Sequence, residues 1–191
     1  MRNSHEKTRR LVGLALFSAI VVVLQLLGSF VHFGVFSISL VLVPIVVGAA
    51  LYGTAGGAWL GFVFGMTVLF SGDAGVFLAV NVPGTVITVL AKGIAAALVA
   101  GLSYNLLERK NQTAAVAVSA VLCPLVNTAV FLIGCFLFFL PTIRSWAGDA
   151  SLARFLIFGL VGANFLVELG VNVLLSPTIV RLISIGRKES I

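Results

Sequence analysis

Asp, Glu, Lys and Arg are all missing from 62 consecutive residues, 11–72. A soluble domain needs charge every few residues to cover its surface, so this absence excludes a water-exposed fold. Over the whole chain only 9% of residues are charged and 60% are hydrophobic, with a mean hydropathy of +1.20. That composition also excludes a disordered chain, and a net charge of +6 does not by itself make a nucleic-acid binder. Histidine is nearly absent: His5 and His32 both fall outside the apolar stretches. No Ser/His pair, HExxH or paired aspartates occur at membrane depth, so intramembrane proteolysis has no apparatus. We therefore expect no enzyme, no metal and no cofactor. The two cysteines, Cys123 and Cys135, are 12 residues apart in one apolar segment. A helix separates them by roughly 18 Å, too far to bridge. No nucleotide-binding loop is present, so active transport would draw its energy from elsewhere.

What remains is enough apolar chain for several bilayer crossings of roughly 20 residues each. The reading is an all-α integral membrane protein, one domain over 1–191, built as a compact six-transmembrane-helix bundle. The spans are approximately 11–30, 38–52, 58–71, 80–104, 114–140 and 152–182. The basic start resembles a signal peptide, but its apolar run is too long and lacks a small-x-small cleavage pattern, so a retained first helix is expected. With both termini cytoplasmic, the inner segments hold Arg2, Lys7, Arg9, Arg10, Arg109, Lys110, Arg181, Arg187 and Lys188. The outer segments hold Arg144 and Arg154 alone, a clear positive-inside bias.

Small residues recur at four-residue spacing: Ala15 and Ala19; Gly53, Gly57, Gly61 and Gly65; Gly93, Ala97 and Gly101. Each row is a groove that lets another backbone approach, either inside the bundle or from another subunit. Polar groups lie mostly in the later spans. Asn164, Glu168 and Asn172 share one helical face, and Lys92 and Asn127 fall at a similar depth. An ionised group there needs a partner or water, so Lys92 and Glu168 invite pairing. The same belt, continued by Asn81, Thr85 and Thr88, could line a cavity for a polar small molecule.

The Ala15-Leu-Phe-Ser-Ala19 motif resembles the AxxxA contact motif of a known family. That family comprises the substrate-binding S components of energy-coupling factor (ECF) vitamin transporters. The stretch Leu42-Val-Pro44 to Gly48, then Leu51-Tyr52-Gly53 and Gly56-Gly57, is similar to the junction of the second and third helices in its riboflavin/folate/pantothenate-type branch. The resemblance implies high-affinity capture of a vitamin or related micronutrient, and translocation with a transmembrane T component and two cytoplasmic ATPases. It implies that Ala15 and Ala19, with Gly57, Gly61 and Gly65, contact the T component. It also implies that the loop 31–37, including His32, Phe33 and Gly34, gates the pocket. The acidic second-span start typical of the family's riboflavin binders is missing, which speaks against riboflavin.

The leading expectation is thus a non-catalytic S component in a bacterial plasma membrane, binding through Asn81, Thr85, Lys92, Asn127, Asn164, Glu168 and Asn172. Outward Arg residues together with Lys92 point to a carboxylate-bearing ligand such as pantothenate or a folate. The alternatives are a standalone ion-coupled transporter using Lys92 and Glu168, and an accessory scaffold subunit.

Overall fold

The computed structural model describes residues 2–30, 32–33, 36–37, 40–148 and 151–188. Among these the chain is helical apart from loops and one short ribbon. The elements are α1 (Arg2–Gly28), β1 (His32–Phe33), β2 (Phe36–Ser37), α2 (Leu42–Ser71), α3 (Gly75–Leu78), α4 (Val82–Leu107), α5 (Gln112–Phe138), α6 (Leu140–Ala147), α7 (Leu152–Arg154) and α8 (Gly162–Lys188). A π-helical turn, Phe155–Val161, joins α7 to α8. The two strands pair antiparallel, His32 opposite Ser37 and Phe33 opposite Phe36.

Among the described residues five helices are long and apolar enough to cross a membrane: Glu6–Gly28, Leu42–Ser71, Val82–Leu107, Gln112–Phe138 and Phe165–Gly186. The predicted second and third spans fall together in α2, which is helical from residue 42 to 71 except at Gly53. There φ is 76° and ψ 178°, a conformation open essentially to glycine alone. The break is a reversal and not a gentle kink. Gly48 lies against the side chain of Leu60, and a Cβ on Gly57 would stand 2.7 Å from that of Ala49. In a straight helix an eight-residue separation spans roughly 12 Å. Residues 42–52 and 54–71 therefore fold back on one another, with the turn at Gly53 rather than over the predicted 53–57.

Helix α1 runs parallel to the second arm of α2. Arg10 donates to the carbonyl of Tyr52 (2.5 Å), the Trp59 indole donates to Ser18 (3.1 Å), and Gln25 donates to Asp73 (2.5 Å). Along this ladder both helices advance in the same direction. The Arg10 contact also satisfies a carbonyl next to the Gly53 reversal, as a backbone break in an apolar setting requires. Helix α4 packs on α2 and α5, and α8 packs on α5 and α2. Ser103 and Ser119 tie α4 to α5 with a 2.9 Å hydrogen bond, and Ser119 also donates to the Ala100 carbonyl. The apolar centre includes Leu42, Ile45, Leu60, Phe64, Ala97 and Tyr104, all essentially without exposure.

The α2–α4 contact revises one expectation. Gly57, Gly61 and Gly65 are buried, and Cβ atoms there would meet the Ala97 carbonyl, the Gly93 carbonyl, and Leu90 with the Val89 carbonyl. The glycine row is filled by α4, because two rows of small residues let the backbones touch. It does not form a free face for a T component. Ala15 and Ala19, by contrast, are exposed on α1.

Candidate binding cavity

A cleft lies between α1, α2, α4, α5 and α8, with the 72–81 segment contributing to its lining. It holds about 800 Å³ of empty space, adjoining open solvent included. Its deep wall is built on α4. Asn81 accepts a hydrogen bond from the Gly84 amide (3.0 Å), and Pro83 sits in the first turn. That start aims Thr85, Thr88, Val89 and Lys92 into the cavity on one helical stripe.

The opposite wall comes from Asn127, Thr128 and Phe131 on α5, and from Phe165 and Glu168 on α8 with Val161 just before it. The π-helical turn ends at Val161, so its extra residue per turn sets the register with which α8 enters the site. Phe64 and Val68 of α2, Gln25 of α1, and Asp73 and Phe77 of the 72–81 segment complete the lining. Phe77 is itself packed edge-on against Phe131, Phe139 and Trp146, with centroids 5.7, 4.9 and 5.8 Å away. Such ring clusters hold one another at fixed angles.

Lys92 is central. Its ammonium lies 5.5 Å from the Phe64 ring centroid and 5.6 Å from that of Phe131. Two ring faces at that range attract a cation that has left water. Glu168 and Asp73 are the carboxylates whose charge reaches it. Asn127 is 5% exposed, and its Oδ1 has no hydrogen-bond partner. A buried amide oxygen in this state costs free energy until something donates to it.

The sequence-predicted site residues thus separate. Thr85, Lys92, Asn127 and Glu168 line one cavity. Asn81 is the cap of α4 and not part of the lining. Asn172 is fully buried behind the wall, where its Nδ2 donates to the Glu168 carbonyl (2.8 Å). The Asn164 side chain, the side chains of His32 and Phe33, and Gly34 lie outside the described residues. Arg144 and Arg154 are exposed and absent from the lining.

Sequence reasoning passed over Gln25 and Asp73. Asp73 directly follows the charge-free run, and its segment lines the cavity with Ala74 and Phe77. Gln25 is the one amide in the first span, and a search for uncharged polar groups would have singled it out. The aromatic lining gives no such signal, since nothing in the sequence distinguishes Phe64, Phe77 and Phe131 among 15 phenylalanines.

Among the described residues no group of three or more His, Cys, Asp or Glu could hold a metal ion. The lining suits an organic molecule with both flat apolar and hydrogen-bonding parts. The sequence model for the substrate-specific component of ECF transporters matches residues 9–180. No curated protein and no solved structure matches the chain.

Proposed function

The chain belongs to the family of substrate-specific components of ECF transporters, and from that membership we propose that it captures a vitamin or related micronutrient outside the cell and carries it across the membrane. The membrane is the plasma membrane of a bacterium. The observation that carries the reading is the cavity itself: Lys92, Glu168 and Asn127 converge on one cleft inside the apolar bundle. Charged and amide groups at that depth are expensive and are retained where they serve binding or transport.

In this reading the fold crosses the bilayer six times, the two arms of α2 counting as separate spans on either side of Gly53. Both termini face the cytoplasm, a reading supported by the distribution of Lys and Arg. The Arg10–Tyr52 contact supports placing the Gly53 reversal at that inner face, and the Gln25–Asp73 contact supports an outward cavity mouth. Binding falls to Thr85, Lys92, Asn127 and Glu168, joined by Gln25 and Asp73. The loop 31–37 gates the mouth. Energy comes from a T component and two cytoplasmic ATPases, and the exposed Ala15 and Ala19 on α1 mark where the T component grips.

The test is reconstitution of the purified chain in proteoliposomes, with the small molecule that co-purifies identified by mass spectrometry. Binding of that molecule without accumulation, and accumulation once the T component and ATPases are added with ATP, is the expected result. Gradient-driven uptake by the chain alone would replace this reading with an ion-coupled transporter working through Lys92 and Glu168.

A further inference from the structure

Beside the donors of Lys92, Gln25, Asn127 and Thr128, the polar wall of the cavity is rich in acceptors. Thr85 and Thr88 each donate their hydroxyl hydrogen to a backbone carbonyl of their own helix, Asn81 and Gly84, at 2.7 Å. Once that hydrogen is committed, a hydroxyl can show a ligand only its lone pairs. The Asn127 oxygen is buried without a donor. Asp73 and Glu168 supply two carboxylates to the lining against the one ammonium of Lys92. The Gln25 amide already donates to Asp73.

From this balance we infer that the site selects a flat ring bearing N–H or O–H donors, neutral or positively charged, and rejects a carboxylate of the same shape. The inference rests on the binding role proposed above and sharpens it. A ring can lie against Phe131 and Phe77 while its donors meet Asn127, Thr88 and the acids. A carboxylate brings no donor and adds a third anion to a site with a single cation, held over two aromatic rings. Acceptors facing acceptors lose hydration with no hydrogen bond in return. The expectation of a carboxylate-bearing ligand drew on Arg144 and Arg154, and both are exposed away from the lining.

Benzamidinium and benzoate test this, because they share size and planarity and differ in donors and charge. The full chain in detergent is titrated with each at millimolar concentration, read by thermal unfolding and calorimetry. Benzamidinium should bind at least about tenfold tighter than benzoate, the scale of one charge-assisted hydrogen bond. Asp73→Asn should shrink that ratio severalfold while the unliganded melting temperature holds. Should that variant fail to fold, Glu168→Gln carries the same expectation. Benzoate binding as tightly as benzamidinium overturns the inference, as does a carboxylic acid recovered with the purified chain, and either leaves the binding role standing. If neither probe binds and no small molecule co-purifies, the inference and the binding role fall together.

Discussion

The side-chain oxygen of Asn127 is buried and unpartnered, whereas the hydroxyls of Thr85 and Thr88 bond within their own helix. Its cost is borne by the empty protein, of order 1–3 kcal/mol for an orphaned acceptor. Asn127→Leu should therefore leave the unliganded melting temperature unchanged or higher, while weakening capture of the co-purifying molecule about tenfold or more. A drop in both would make Asn127 a structural residue. Lys92→Met removes the ammonium but keeps a flexible apolar stem between Phe64 and Phe131, so the bundle should fold and the ligand preference should change. Circular dichroism and calorimetry read the two effects apart. Lys92, Asn127 and Glu168 could be picked from the sequence because polarity within an apolar span is conspicuous. Gln25 stands out on the same ground, but its meeting with Asp73 does not, because that contact joins residues 48 apart in the chain.

Among the elements, α2 shows best how local chemistry shapes the molecule. Gly53 permits the reversal at an angle that other residues avoid, so Gly53→Ala should destabilise the fold by about 1–3 kcal/mol. Beyond the turn, Gly61 and Gly93 face one another so closely that a Cβ on either meets the other's carbonyl. Gly61→Val should lower stability by about 1–3 kcal/mol or more through overpacking. Gly170→Ala, where nothing lies within 4 Å, should be neutral or stabilising by up to about 1 kcal/mol. Denaturant or thermal unfolding of the three variants checks the order. The four-residue spacing of these glycines was visible in the sequence. Whether the groove received a neighbour of the same chain or another subunit was not, since spacing describes one surface and contact needs two.

For the molecule as a whole, α1 is the least buried of the membrane-length helices, with 17% of its apolar window inside the protein. Its outer face carries Leu16, Ala19, Ile20 and Val23, open to lipid or to a partner. Ala15→Leu with Ala19→Leu should leave ligand binding intact, because neither residue approaches the cavity, and should abolish or severely reduce ATP-driven uptake by the assembled importer. Equal loss of binding and uptake would place the defect in folding instead. Composition and charge placement alone determined membrane residence and the approximate apolar stretches, because the bilayer penalises charge and unpaired backbone wherever they occur, while the family resemblance rested on the Ala15–Ala19 motif and the 42–57 stretch. The fold-back at Gly53, the burial of the glycine row and the meeting of Gln25, Asp73, Lys92 and Glu168 were decided only by tertiary structure. Each depends on how helices are rotated against one another, and that rotation is set by packing between residues distant in the chain.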